Sequence, residues 1–310
     1  MQKVVLGRTG LAATVMGLGG GGDSRLGRAG GERDAASVHL VRAALDQGIN
    51  FIDTAEAYGT EAVIGEALAS VPRESVILST KKKTIGEHNL SPDDVVRSLE
   101  DSLRRLRTDY VDIYHLHGVR PDQYESLRDR LVPTLHKLRA QGKIRFLGIT
   151  EAFAADPTHD MLERALTDDL WDVVMVGFNL LNQSARDKVF PRTLERNVGT
   201  LIMFAVRRAL SRPDRLRELL IDLSARGKVD RSLVDGGLDF LLHAEGATSL
   251  PDAAYRFCRD EPGAHVVLSG TGSVEHLLEN VHSLARPPLP GRDRARLIEV
   301  FSGVNDVSGH

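Results

Sequence analysis

The chain alternates two kinds of segment along almost its whole length, and that alternation leaves few folds open to it. Short β-branched runs occur at 49–54 (INFIDT), 75–80 (SVILST), 109–117 (DYVDIYHLH), 144–150 (IRFLGIT), 172–178 (DVVMVGF), 200–205 (TLIMFA) and 264–270 (AHVVLSG). Between them lie stretches with apolar residues three and four apart, such as ERDAASVHLVRAALDQG, TEAVIGEALAS, SPDDVVRSLEDSLRRLR, QYESLRDRLVPTLHKLRAQG and SARDKVFPRTLERN. Strands separated by helices form a parallel sheet, because each helix carries the chain back to the edge where the next strand starts. The apolar run at 13–18 brings the strands to eight. Eight such units spread over about 250 residues predict an α/β fold, a closed (β/α)8 TIM barrel, better than an open sheet.

Local signals agree with that reading. Ser91-Pro92-Asp93-Asp94 has a hydroxyl cap, a proline at the first helical position and carboxylates in the first turn, which together start a helix. Gly48 and Gly142 are helix stops just before strands. The leading MQKVVLGRTGLAA reads as a β-hairpin, with VVL and TVM flanking a turn that contains Arg8-Thr9-Gly10, and such a hairpin would cap the barrel bottom. No linker or repeat marks a second domain, so residues 1–310 are expected to form one barrel domain. The longest irregular segments, 19–33 and about 226–248, are expected to be mobile loops over a site.

The run 17-GLGGGG-22 satisfies G-x-G-x-x-G, the dinucleotide fingerprint of a Rossmann unit. That fingerprint needs a helix opening from the glycines to aim its N-terminus at a pyrophosphate. Here Asp23 to Gly31 brings further glycines without helical period, and the helical pattern begins only near Asp34. The run is a false fingerprint and is expected to be a loop near the substrate.

The 310 residues carry 40 Lys and Arg against 43 Asp and Glu, a net charge of −3 that offers no general attraction to nucleic acid or an anionic membrane. The single cysteine, Cys258, excludes an internal disulfide and a multi-cysteine metal site, and it reads as a packed thiol. No metal signature is found. The chain has no apolar stretch of membrane-spanning length and no signal-peptide core at its start, so a cytoplasmic protein is expected.

In a barrel of this kind, polar residues at the C-terminal strand ends are the first candidates for chemistry. Asp53 ends the second strand, Tyr58 follows in its loop, Lys81 ends the third and His117 ends the fourth. Each alone has an ordinary structural reading: a cap, a rim residue, a solvated lysine loop, a core histidine. Together they face one cavity. A tyrosine is a poor acid at neutral pH unless a cation stabilises its phenolate. Lys81 is the candidate cation, Asp53 would hold it in place, and His117 would hydrogen-bond a substrate oxygen. His115 shares the face of His117, but His117 is nearer the mouth.

The motifs FIDTAEAYGTEAVIGEAL, VILSTK, SLEDSLRRLRTDYVDIYHLH, GKIRFLGIT and VVLSGTGSVEHLLENV occur in this order, and with them the chain resembles the aldo-keto reductase superfamily along nearly its whole length. The resemblance implies a nicotinamide-dependent oxidoreductase that reduces an aldehyde or ketone, or oxidises the alcohol. Tyr58 would be the proton donor, supported by Lys81 and Asp53, with His117 positioning the carbonyl oxygen. The family binds NADP or NAD across the barrel mouth without a Rossmann unit. Gly270, Thr271, Glu279 and Asn280 would meet the adenosine end, and Arg207 and Arg208 are candidate pyrophosphate contacts.

The chain also departs from the family pattern. The residues that usually grip the nicotinamide carboxamide are Thr150, Glu151 and Met175 here, and the residue beneath the ring is Met203 or Phe204. An ionised Glu151 accepts hydrogen bonds but cannot donate one to an amide carbonyl. Either the ring is held differently, or Glu151 has a substrate or proton-transfer role, or the change is tolerated variation. Gly270 and His276 stand where many NADP-preferring members carry Lys or Arg. NADP(H) is expected on family frequency, with NAD(H) as the alternative. The rival readings are a cofactor-binding sensor on the same barrel with little or no turnover, and a lyase or isomerase barrel.

Overall fold

A computed structural model of the chain describes residues 1–30, 34–84, 86 and 90–310. Two short strands, β1 (Lys3–Val5) and β2 (Ala12–Thr14), pair antiparallel as a hairpin. The following strands are β3 (Met16–Gly19), β4 (Phe51–Asp53), β5 (Ile77–Lys83), β6 (Val111–Val119), β7 (Ile144–Glu151), β8 (Val173–Gly177), β9 (Gly199–Met203) and β10 (Val266–Ser269). They pair parallel in chain order, and β10 closes onto β3, giving the eight-stranded barrel that the alternation predicts.

Period-two alternation divides the core into two layers. Phe51, Ile77, Ile113, Val173, Met175, Leu201 and Val266 fill the barrel interior. Their strand neighbours Ile52, Leu78, Tyr114, Val174 and Ile202 point outward into the larger apolar layer shared with the helices. The helix that starts at Pro92 is closed by a reciprocal capping box between Ser91 and Asp94, as its sequence predicts. Gly48 and Gly142 adopt φ of 77° and 75°, the left-handed turn that favours glycine after a helix.

The hairpin lies at the N-terminal end of the barrel. Leu6 enters the interior core and occupies the space that a side chain at Gly199 would need, while Arg8 donates to the Trp171 carbonyl just before β8. Its second strand is Ala12–Thr14 rather than TVM, because the run 13–18 is divided: Met16 already belongs to the barrel.

One expected loop lies elsewhere. Segment 226–248 folds into a helical turn at Ser232–Gly236 and a 3-10 turn at Asp239–Leu241. It packs beside helix Pro213–Ala225, where Leu238 and Leu242 face Leu216 and Leu220 across a groove whose lining meets that of the mouth cavity only at Ser211. Its buried leucines attach it to the helical layer, which the absence of a clear period in the sequence concealed. The glycine segment after β3 does reach the mouth; of the stretch 19–33, residues 31–33 lie outside those described.

Candidate active site

The predicted quartet meets at the C-terminal end of the barrel. Asp53, the last residue of β4, pairs in register with Ser79, whose hydroxyl donates to Asp53 Oδ1 at 2.8 Å. Two residues further along β5, Lys81 points inward and is fully buried. Its ammonium donates to Asp53 Oδ2 at 2.5 Å and to the Thr54 carbonyl at 2.6 Å.

Lys81 lies opposite His115 and Lys83 opposite His117, so the two histidines occupy successive layers on the inner face of β6. Between Leu116 and Val119 the pairing of β6 with β7 shifts by one residue, and Gly118 takes a φ of 71°. Such a bulge re-aims the side chain beside it. Here that side chain is His117.

Tyr58 comes from a single 3-10 turn after β4, Glu56–Tyr58, that ends on Gly59 at φ 73°. Its hydroxyl lies 3.1 Å from His117 Nε2, and the two rings meet edge to face with centroids 5.4 Å apart. The Lys81 ammonium lies 5.1 Å from the centre of the Tyr58 ring. The structure thus brings all four residues together.

Electrostatics correct one expectation: the Lys81 charge does not bring the Tyr58 phenol below its ordinary value. Burial pushes the Tyr58 phenol above its ordinary value, and the nearby Lys81 charge opposes the shift without cancelling it. Burial raises the Asp53 carboxyl as well, against the pull of Lys81 and Ser79. His117 is pushed down to about 3 by burial and by the charges of Lys81 and Lys83, so its imidazole is neutral at physiological pH. His115 is lowered well below the usual histidine value by burial, then by Lys81 and His117.

The glycines of the false fingerprint have a packing role. A Cβ on Gly21 would stand 2.5 Å from the Tyr58 ring, and one on Gly20 would stand 2.8 Å from the Thr60 hydroxyl. Only a bare backbone fits against the tyrosine. Sequence reasoning missed this contact; a glycine run facing a strand-end tyrosine was its available signal.

These residues open onto a cavity of about 580 Å³ that runs from Tyr58 and His117 past Thr150, Met175 and Phe204 to Arg207 and Gly270. Thr150 faces inward and accepts the Gly118 amide at 2.7 Å, which leaves its own hydroxyl hydrogen for another partner. Met203 and Phe204 both line the wall, and Phe204 adopts a φ of 67°. Ser24 Oγ is buried beside Gly270 and Gly272 and has no hydrogen-bond partner among the described residues.

Glu151 goes the other way. It follows Thr150 on β7, so period two turns its carboxylate away from the face that Thr150 presents, although Glu151 is itself among the residues lining the cavity. The carboxylate accepts the Gly177 amide at 2.7 Å and the His159 Nδ1 hydrogen at 3.0 Å, with both side chains fully buried. Burial raises the Glu151 carboxyl against the pull of these partners.

The remaining candidates spread along the rim. Asn280 donates to Ser269 Oγ at 2.9 Å at the end of β10. Thr271 is buried, whereas Gly270, His276 and Glu279 are exposed, the last two on the helix Val274–Ala285. Arg208 pairs with Asp23 at 3.0 Å across the mouth, while Arg207 stacks its guanidinium 4.1 Å over the Phe204 ring. Among the described residues, no group of three or more His, Cys, Asp or Glu is arranged to hold a metal ion, and no helix is long and apolar enough to cross a membrane.

Comparison with known proteins agrees with this geometry. The aldo-keto reductase YhdN of Bacillus subtilis is 29% identical over 305 residues, covering 90% of this chain and 88% of that protein. The NADH-specific methylglyoxal reductase of Escherichia coli is 26% identical over 314 residues, covering 92% and 94%. The crystal structure of an aldo/keto reductase from Klebsiella pneumoniae in complex with NADP and acetate has a TM-score of 0.66 at 24% identity, covering 97% of this chain and 95% of that one, a likeness of fold. The sequence profile of the aldo/keto reductase family matches residues 16–300, and the chain belongs to that family.

Proposed function

We propose that the chain interconverts an aldehyde or ketone with its alcohol, using a nicotinamide dinucleotide, and that Tyr58 is the proton donor to the carbonyl oxygen. The observation that carries this reading is the 3.1 Å contact between the Tyr58 hydroxyl and His117 Nε2, with the buried Lys81–Asp53 pair behind it. The bound reduced nicotinamide would supply the hydride to the carbonyl carbon. The rest falls to the chain's own side chains.

As hydride arrives, negative charge grows on the carbonyl oxygen, and a positioned acid with a second hydrogen-bond donor lowers that barrier. His117, neutral with its pKa near 3, is a poor acid and acts as the donor that orients the oxygen. Burial raises the Tyr58 pKa, which keeps the phenol protonated but makes it a weaker acid than a free tyrosine. Lys81 offsets the phenolate left behind, and Asp53 holds Lys81 in position.

The cavity suits the cofactor in part. The free hydrogen of the Thr150 hydroxyl suits a carboxamide oxygen, and Phe204 offers an aromatic wall for the ring. The unpartnered Ser24 hydroxyl beside Gly270 suits a phosphate oxygen. Met175 offers no donor, and Glu151 is engaged by the Gly177 amide and His159. Gly270, Thr271, His276, Glu279 and Asn280 are the proposed adenosine end. NADPH is the first coenzyme to test, on family frequency, and NADH the second.

The test is loss of reduced-nicotinamide absorbance with a panel of aldehydes and ketones and each coenzyme in turn. Consumption by the wild type that disappears in Tyr58→Phe supports the reductase. Tight coenzyme binding with no consumption across the panel replaces it with the sensor reading.

A further inference from the structure

Arg207 is a cation in the wall of the active cavity, and the nearby Asp23 carboxylate acts on it through space rather than by direct contact. Among the described residues no Asp or Glu carboxylate lies within 4.0 Å of its guanidinium, since the nearby Asp23 is paired with Arg208. Its Nη2 donates to His310 Nδ1 at 3.0 Å. That imidazole is held below the ordinary histidine value, first by burial and then by Arg207 and Arg208, so it accepts the hydrogen bond without neutralising the charge. Nε of Arg207 is buried and has no hydrogen-bond partner among the described residues. Stacking 4.1 Å over Phe204 fixes the plane of the fork.

The position of this fork is set by the glycine loop. Gly21 lies against the Tyr58 ring, and a Cβ on the next residue, Gly22, would meet Arg207 Nη1 at 3.4 Å. Phenol and guanidinium therefore lie against consecutive residues of one loop and line the same cavity, so one small molecule can face both. The neighbouring wall, formed by Phe153, Phe204, Ala205 and Val206, is apolar. A fixed, partly desolvated cation in apolar surroundings selects strongly for a carboxylate or phosphate, which a guanidinium grips with paired hydrogen bonds.

We infer that Arg207 anchors the substrate: the cavity takes an aldehyde or ketone that also carries a carboxylate or phosphate. This rests on the reductase reading above. In the reaction the carbonyl carbon accepts hydride from the reduced nicotinamide and its oxygen accepts the Tyr58 proton, leaving an alcohol and oxidised nicotinamide. The anionic group is unchanged and serves only to hold the carbonyl against Tyr58 and His117.

The test compares matched probes, 4-formylbenzoate against benzaldehyde and glyceraldehyde 3-phosphate against glyceraldehyde, in the wild type, Arg207→Met and Arg207→Lys. The expected result is a higher kcat/KM for the charged member of at least one pair. That charged-to-neutral ratio should fall about 10- to 100-fold in Arg207→Met and less in Arg207→Lys. The pair that responds identifies carboxylate or phosphate as the anion. An unchanged ratio in both pairs overturns the inference, and it does so too if coenzyme affinity falls instead, since Arg207 would then serve the dinucleotide. Calorimetric binding of benzoate and of inorganic phosphate needs no turnover and so separates this inference from the reductase reading. Binding of either anion to the wild type that is lost in Arg207→Met supports the anchor even if no carbonyl is reduced; failure of both to bind the wild type overturns it.

Discussion

The Tyr58 hydroxyl and His117 Nε2 stand 3.1 Å apart although they are 59 positions apart in the chain. The contact depends on a 3-10 turn after one strand and a bulge in another, and on the Lys81–Asp53 pair packed beneath both. Its consequences can be tested one residue at a time.

Lys81→Met leaves Asp53 buried with only Ser79 as a side-chain partner. Removing one member of a buried ion pair costs about 3–5 kcal/mol. The double variant Lys81→Met/Asp53→Asn should regain most of that stability in chemical denaturation while remaining defective in reduction. If the double variant is no more stable than the single, the pair does not contribute as described.

Gly21→Ala puts a methyl group 2.5 Å from the Tyr58 ring, so the ring or the loop must move. A misplacement of about 1 Å at a reacting group costs on the order of 100-fold in rate. We expect kcat/KM to fall at least about 10-fold with a thermal midpoint close to wild type. Wild-type kinetics in this variant would show that the contact carries no functional weight.

Glu151→Asn shortens a side chain that holds both the Gly177 amide and His159. Leaving buried groups unpaired costs about 1–3 kcal/mol. Glu151→Gln, which keeps the length, should lose less. Coenzyme affinity measured by fluorescence titration should change little in Glu151→Gln, because the carboxylate is occupied by the Gly177 amide and His159. A tenfold weaker dissociation constant at unchanged stability would put the carboxylate on the nicotinamide after all.

Acid should destabilise the fold through its buried histidines. His117 titrates near 3 in the folded chain and His115 well below its ordinary value, against about 6.5 when unfolded. Between those values the unfolded chain binds more protons at these two sites, so the histidines' contribution to stability is complete above about pH 6.5 and is lost as pH falls toward 3. Denaturation midpoints measured across that window should fall less steeply in His115→Leu. Equal slopes in the two proteins would remove His115 from the account.

The alternation of β-branched runs with helical patterns determined the barrel by itself, because a strand buried on both faces and a one-faced helix leave few other ways to cover apolar surface. The same period-two logic put His115 and His117 on one inner face. The rule that barrel chemistry sits at the C-terminal strand ends picked out Asp53, Tyr58 in its loop and Lys81, which the structure places two residues before the end of β5. Period two also contained the separation of Thr150 from Glu151, which are neighbours in sequence but point to opposite faces of β7. Other features were decided only by tertiary packing: the bulge at Gly118 that aims His117, the fit of Gly21 against Tyr58, the docking of 226–248 away from the mouth, and an Arg207 whose nearest acid is taken by Arg208. Local period determines which face of an element a side chain occupies. Which faces meet depends on strand register and loop packing, and both arise from contacts between residues far apart in the chain.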